Sequence, residues 1–132
     1  MASYKNKGLW IYLGIIFLVG PVFLTGCHDE DNGPTSVVVL DTTQQLAPGG
    51  CASPLFNGEA GVPVKVEATG PSNENPDLTI FDPNNNQVAT ATNSTLGSET
   101  LGFTPSITGG YTVRVCDANN VGGAIRIVVT QR

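Results

Sequence analysis

The stretch Gly110-Tyr111-Thr112-Val113-Arg114-Val115-Cys116 decides the fold. Tyr111, Val113 and Val115 occupy every second position, and mostly polar residues lie between them. Successive side chains of a β-strand point to opposite faces, so this alternation predicts a strand with one buried face and one face in solvent. An amphipathic helix would instead need apolar residues three and four positions apart, and this stretch lacks that spacing.

The same period of two recurs between residues 36 and 130. It gives about seven short predicted strands, at 36–40, 62–69, 78–81, 87–92, 101–103, 111–116 and 125–130. Segments rich in Gly, Pro, Asn and Asp separate the strands, and such residues favour turns. We therefore predict an all-β domain over residues 36–132, a single antiparallel β-sandwich without internal repeats or a second domain.

Three of the connecting segments are candidates for function, because loops on a rigid scaffold often carry it. They are 70–77, 82–86 and 117–123, all rich in Asn, Asp or Gly. The segment 82–86, Asp-Pro-Asn-Asn-Asn, predicts a hairpin, since Pro presets φ and Asn tolerates positive φ.

An apolar run of 16 residues, 9–24, precedes the domain, and Lys5 and Lys7 lie before the run. A membrane-spanning helix needs about 20 apolar residues, whereas the apolar core of a signal peptide has about 7–15 after a positive start. An uncleaved membrane anchor and an ordinary secretory signal remain alternatives. We favour a helical signal peptide over residues 1–26.

The run ends at Leu24-Thr25-Gly26-Cys27, which resembles the lipobox of bacterial lipoproteins. The resemblance implies that signal peptidase cleaves before Cys27 after the thiol has been acylated. It places the protein outside the cytoplasm, on a bacterial membrane. Because two or more acyl chains hold a protein stably, the membrane anchor would be permanent.

Residues 27–35 are polar and acidic after the cysteine, so we expect a lipidated flexible tether. Its eight residues after Cys27 reach at most about 28 Å. In bacterial lipoproteins an aspartate after the cysteine favours the inner membrane. His28 stands here, and the resemblance therefore favours the outer membrane if the host has one.

The charge of the mature chain excludes nucleic acid as a partner. After cleavage four basic residues remain against eleven acidic ones, a formal charge of −7. Binding to phosphate backbones needs clustered cations, which this composition does not supply.

Two cysteines, Cys51 and Cys116, remain once Cys27 is acylated. In an oxidising compartment such a pair predicts one disulfide. A metal or redox pair is the alternative, but no Cys-x-x-Cys is present, and His28 is the only histidine.

Four motifs in order resemble the bacterial pre-peptidase C-terminal domain family. They are Gly61-Val62-Pro63-Val64-Lys65-Val66, Asp77-Leu78-Thr79-Ile80-Phe81-Asp82-Pro83-Asn84, Ser98-Glu99-Thr100-Leu101-Gly102-Phe103-Thr104-Pro105 and Gly110-Tyr111-Thr112-Val113-Arg114-Val115. The resemblance covers residues 58–130 and implies a jelly-roll-like β-sandwich. Asn86 stands where the family often has Gly, in a left-handed position that Asn tolerates. No catalytic domain accompanies the motifs, so the family's role beside proteases does not transfer directly.

The sequence offers no constellation for catalysis. A Ser–His–Asp triad needs a histidine, and His28 lies in the tether. Asp77 and Asp82 flank one predicted strand about 17 Å apart, too far for a retaining glycosidase pair.

Some members of the resembled family bind calcium through acidic linkers and loops. By that resemblance the candidate ligands are Asp29, Glu30, Asp31, Glu74, Asp77 and Asp117. We expect ordinary surface charge at these positions and no cofactor, with calcium as the alternative.

Among the aromatic residues of the mature chain, Phe56 and Phe81 are the two that are not in phase with the predicted core, and exposed aromatics bind sugars in other sandwiches. In so small a core we expect both to be buried. The sequence therefore predicts a membrane-anchored, non-catalytic module that binds an envelope or surface protein or has a structural role. The alternative is a calcium-stabilised accessory factor for an exported enzyme or surface assembly.

The lipobox yields a direct prediction. Mass spectrometry of the envelope form should find residues 1–26 absent and Cys27 acylated, because the peptidase acts on the acylated precursor. Cys27→Ser should leave the precursor unprocessed or release the protein. An intact N-terminus or an unmodified Cys27 would refute the lipoprotein interpretation.

Overall fold

The computed structural model describes residues 33 and 35–132, and its regular elements are nine β-strands. The strands are β1 (Val37–Leu46), β2 (Cys51–Ala52), β3 (Leu55–Gly58), β4 (Val64–Thr69), β5 (Pro76–Phe81), β6 (Gln87–Ala91), β7 (Ser98–Phe103), β8 (Gly109–Asp117) and β9 (Gly123–Gln131). None of the described residues forms a helix that is long and apolar enough to cross a membrane. The predicted signal peptide, Cys27, His28 and Asp29–Asp31 lie outside the described residues.

Two antiparallel sheets form a sandwich, as predicted. The first sheet has the strand order β1-β9-β4-β7. In the second sheet β8 pairs with β5 on one side and with β2 and β3 on the other, and β6 lies outside β5. The regular elements of the described residues are all strands and every pairing is antiparallel, so the prediction of an all-β antiparallel sandwich is confirmed.

The core lies between the sheets and is built from the predicted alternation. On β8, Tyr111, Val113 and Val115 are fully buried while Arg114 between them is exposed. The central strands of both sheets repeat this pattern, and their inward residues are Val64, Val66, Ala68, Leu78, Ile80, Ile125, Ile127 and Val129. Burying each large aliphatic side chain contributes about 1.5–3 kcal/mol, so these central strands hold the two sheets together.

The strand count differs from the prediction of about seven. β2 and β3 were not predicted, because both are short and only Phe56 and Gly58 are buried among their residues. The predicted strand at 36–40 continues to Leu46. The second half of this strand has no apolar alternation in the sequence, because it contains Thr42-Thr43-Gln44-Gln45. An edge strand with one face in solvent tolerates such polar residues.

The two aromatic side chains of uncertain position differ in their burial. Phe56 is buried as expected and stacks on Tyr111, with 5.7 Å between ring centroids. Phe81 is only half-buried, because its position on β5 points to the outer face of the second sheet. Full burial of Phe81 was therefore a wrong expectation.

The hairpin predicted at 82–86 joins β5 and β6. One carboxylate oxygen of Asp82 accepts the backbone N–H groups of Asn84 (2.9 Å) and Asn86 (2.8 Å). The left-handed residue is Asn85, with φ of 63°, and not Asn86. Asn85 is the third residue after Asp82, and its backbone N–H donates a hydrogen bond to the Asp82 carbonyl.

The predicted disulfide between Cys51 and Cys116 is present. The two residues lie directly opposite each other in the β2–β8 ladder, with their Cα atoms 4.1 Å apart. The chain-entropy model gives about 4 kcal/mol for a closed loop of this length. The bridge therefore fastens the connection from β1 to the second sheet.

β1 is an edge strand with a β-bulge near its start. Val37 and Val38 are 58% and 57% exposed, and the register against β9 shifts between Val38 and Leu40. The bulge leaves Val39 without a paired residue on β9, which bends the strand at this point.

Core packing gives a stability prediction with a built-in control. Leu78→Ala should lower the free energy of unfolding by about 2–5 kcal/mol, because Leu78 is fully buried at the centre of the second sheet. Leu55→Ala should change it by about 0.5 kcal/mol or less, since Leu55 is 65% exposed. Urea unfolding of both variants measures the difference, and equal losses would contradict the assigned burial.

Candidate functional site

Four connecting segments meet at one end of the sandwich, which we call the loop end. They are 47–50, 70–75, 92–97 and 118–122. The strand directions place them together, because β1, β4 and β8 finish there while β5 and β9 begin there. The predicted loops 70–77 and 117–123 thus come together, whereas 82–86 follows β5 and lies at the opposite end.

The carboxylate of Asp117 organises the first part of the loop end. Its Oδ2 accepts the N–H groups of Gly49 (3.0 Å) and Gly122 (2.7 Å), and its Oδ1 accepts that of Asn119 (3.3 Å). Gly49 and Gly122 have φ of 68° and 70°, a left-handed backbone that glycine adopts readily. Burial acts to raise the pKa of Asp117, but these donors, together with the Val121 N–H, outweigh it and hold the pKa below its usual value.

Asparagine side chains connect the neighbouring segments. Asn119 accepts the N–H of Asn75 at 3.0 Å and donates to the carbonyl of Asn73 at 2.7 Å. With its amide nitrogen facing the next segment, Asn75 donates to the carbonyls of Asn93 (2.8 Å) and Thr95 (3.2 Å). One chain of hydrogen bonds therefore crosses three of the four segments.

Glu74 is the exception in this network. It is fully buried, and neither carboxylate oxygen has a hydrogen-bond partner. The carboxyl lies between Gly70 and Gly123, where a Cβ at Gly70 would come within 2.6 Å of Oε2. Burial raises the pKa of Glu74, and the nearby Asp117 carboxylate raises it further. The arrangement favours the protonated acid.

A second pair of acidic residues, Asp77 and Glu99, lies beside the loop end. Glu99 is buried and accepts both the backbone N–H and the side-chain amide of Asn93, each at 3.0 Å. Burial raises the pKa of the half-buried Asp77, and Glu99 adds to the increase. Glu99 thus fixes the start of segment 92–97.

The structure corrects the expectation of ordinary surface charge. Glu74 and Asp117 are buried and neighbouring, and Asp77 is half-buried beside Glu99 rather than being a solvated strand end. Among the described residues no group of three His, Cys, Asp or Glu side chains could hold a metal ion.

The exposed surface of the loop end is uncharged. Glu74 is the only ionisable residue in the four segments, and it is sealed from solvent. The exposed side chains are amides and hydroxyls, together with Leu96 (55% exposed) and Val121 (37% exposed). A neutral, hydrogen-bonding surface with apolar side chains is suited to binding.

Sequence reasoning missed two of the contributing segments, 47–50 and 92–97. Pro48-Gly49-Gly50 carries the signal of a turn, but its role depends on Asp117, 68 residues away. The burial of Glu74 has no signal in the sequence, because its neighbours Asn73 and Asn75 are typical of an exposed loop.

Residues 56–116 match the model of the Bacterial pre-peptidase C-terminal domain family. The resemblance that the sequence motifs indicated is therefore confirmed. No curated protein matches this chain in sequence.

Among solved structures, the fold is similar to the pre-peptidase C-terminal domain of a collagenase from Bacillus anthracis. The TM-score is 0.53 at 14% identity, over 70% of this chain and 89% of that one. It is also similar to PliG of Aeromonas hydrophila, a periplasmic lysozyme inhibitor of g-type lysozyme. That TM-score is 0.50 at 15% identity, over 76% and 89% of the two chains. At these identities the similarity concerns the fold alone.

The unpartnered carboxyl predicts how stability depends on pH. Because the folded pKa of Glu74 is raised, its contribution to stability is complete below the unfolded pKa and is lost as pH rises through the folded pKa. The glutamine of Glu74→Gln cannot ionise. The melting temperature of this variant should therefore rise relative to that of the wild type between pH 4 and pH 8. Thermal melts in chelator measure this, with the exposed Glu59→Gln as control. A difference from wild type that is equal at both pH values would contradict the raised pKa.

Proposed function

We propose that this pre-peptidase C-terminal-type sandwich is a lipid-anchored extracytoplasmic module that binds an envelope or surface protein through its loop end. One observation carries the proposal. The loop end is held by a network of hydrogen bonds that joins its segments, yet it exposes an uncharged surface with apolar side chains. We infer no catalytic activity.

Rigidity supports the binding role. A surface that is ordered before association loses little conformational entropy on binding, which leaves more of the contact energy for affinity. Asp117 orders segments 47–50 and 118–122, Asn119 fixes 70–75, and Asn75 and Glu99 order 92–97. The scaffold below them is the sandwich core.

The exposed side chains have the composition of an interface. Protein interfaces are depleted of charge at their centre and surround apolar contacts with polar groups. Leu96 and Val121 belong to the two segments that hydrogen-bond to 70–75, and Ser72, Asn73 and Asn120 are exposed polar residues of the same end. In a chain of net charge −5, a charge-free end is a distinct surface.

The direction of β1 supports presentation of the loop end to a partner. β1 starts at the opposite end of the sandwich, where Val37 pairs with Gln131, and finishes at Leu46 beside the loop end. A chain that is anchored through Cys27 would enter the domain at that opposite end. The loop end is thus remote from the point at which a tether would join the domain.

The same residues argue against an enzyme. Asp117 already accepts three backbone donors, and Glu74 is enclosed by glycine backbone and has no access to solvent. A general base must reach the substrate proton, and neither group can. A module that acts on another protein also agrees with PliG, which is named as an inhibitor located in the periplasm.

The alternative, a calcium-stabilised accessory factor, rests on the unpartnered Glu74 beside Asp117. Calcium takes six to eight oxygen ligands, and the described side chains do not supply that set here. Backbone carbonyls, asparagine amides and water would have to complete the coordination. Melting in millimolar calcium and in chelator separates the two functions, because only the alternative gives a higher melting temperature with calcium.

The loop-end surface is tested by substitutions that spare its framework. Leu96→Ser with Val121→Ser should strongly reduce recovery of a binding partner from the envelope, since most of the binding energy of an interface comes from a few side chains near its centre, and the proposal places these two there. Pull-down with the anchored protein, followed by mass spectrometry, measures recovery.

The matched control is Val88→Ser with Ile107→Ser, two side chains that are 43% and 39% exposed towards the opposite end. It should retain the partner. Equal recovery by both double variants, with unchanged melting, would remove the loop end from the proposal.

A further inference from the structure

The disulfide lies on the outer face of the second sheet and not in the core. Along β8 the inward residues are Val113, Val115 and Asp117, so Cys116 points outward with Arg114. Cys51 is exposed and Cys116 is half-buried. The bridge is therefore within reach of a thiol in solution while the core stays intact.

The two sulfurs have opposite electrostatic surroundings. The Arg114 guanidinium lies 3.8 Å from the Cys51 sulfur, and Arg114 makes no ion pair among the described residues. On the other side, Asp77 is directly opposite Cys116 in the β5–β8 ladder and is also on the outer face. A cation stabilises a thiolate, and an anion opposes it. Cys51 is thus the better leaving group of the pair.

We propose that Cys51–Cys116 is a site of thiol–disulfide exchange with a dithiol, in which Cys116 is attacked and Cys51 leaves. The thiolate of the dithiol forms a bond to the Cys116 sulfur as the Cys116–Cys51 bond breaks, and the electron pair passes to the Cys51 sulfur beside Arg114. The second thiol of the dithiol then attacks the mixed disulfide and releases Cys116. The dithiol is oxidised to a disulfide, and the two cysteines gain two electrons and two protons.

Reduction of the disulfide affects the loop end through the chain segment that follows β1. β2 has only two residues, Cys51 and Ala52, which pair with Cys116 and Val115 of β8. Single backbone hydrogen bonds from Asp117 to Gly50 and from Val113 to Pro54 lie on either side of this short ladder. Gly49, which donates to the Asp117 carboxylate, is two residues from Cys51. Reduction therefore loosens segment 47–50, and the oxidised state holds the loop end in place.

Reaction with reduced glutathione under native conditions tests the direction of attack. After quenching with iodoacetamide, peptide mass spectrometry should find glutathione on Cys116 and the alkyl group on Cys51. Glutathione on Cys51, or reduction no faster than global unfolding in the same buffer, would overturn the proposal.

The role of Arg114 is tested by the rate of reduction with dithiothreitol. Arg114→Ala should slow it about two- to fivefold at low salt, as fivefold corresponds to the roughly 1 kcal/mol between unit charges 4 Å apart in water. Arg114→Lys should restore most of the rate. Arg126→Ala removes a positive charge from the other sheet and should leave the rate unchanged. Equal rates for the two alanine variants would overturn the assignment of Arg114.

Hydrogen exchange measures the link to the loop end. On reduction the Gly49 amide should exchange faster, while the amides of β4 and β9 in the first sheet should not change. Unchanged exchange at Gly49 would refute that link.

Discussion

A buried carboxylate has to receive hydrogen bonds, and at Asp117 this requirement arranges one whole end of the molecule. β8 is the central strand of the second sheet, so the core fixes the position of its last residue. The carboxylate that it carries then accepts N–H groups from 47–50 and from 118–122, two segments that belong to different connections. The two left-handed glycines are consequences of this, because their amides must turn towards one side chain.

Glu74 shows what happens when the same chemical group is buried without donors. Both carboxyl groups lose water, but backbone N–H groups replace it only at Asp117. The pKa values of the two therefore move in opposite directions although the residues are neighbours. Ionisation of one carboxyl strengthens the loop end, and ionisation of the other weakens it. The loop end should be most stable in the pH range where Asp117 is charged and Glu74 is neutral.

The sequence predicts those parts of this structure that depend on neighbouring residues and, apart from the disulfide, it does not predict the parts that depend on contacts between distant residues. The strands with a buried face, such as 111–116, can be predicted from the sequence because alternation of apolar and polar residues is a local pattern. β1 is half hidden by Thr42-Thr43-Gln44-Gln45, since solvent on the outer face of an edge strand imposes little constraint on composition. The loop end could not be assembled from the sequence, because the bonds that join its segments, such as Gly49–Asp117 and Asn75–Asn119, connect residues 68 and 44 positions apart and depend on strand order. The disulfide was predictable from the number of cysteines, whereas the environment of its sulfurs depends on the register of β8 against its neighbours.

The bulge in β1 has a consequence for self-association. An exposed edge strand presents unpaired N–H and carbonyl groups, and four consecutive aliphatic residues, Val37–Leu40, make this edge attractive to a second copy. Edge-to-edge pairing needs an uninterrupted hydrogen-bonding repeat, and the irregularity at Val39 interrupts it within that apolar run. Lipid anchoring would concentrate such edges in two dimensions. A strand with such an irregularity is a poor template for edge-to-edge pairing with a second copy.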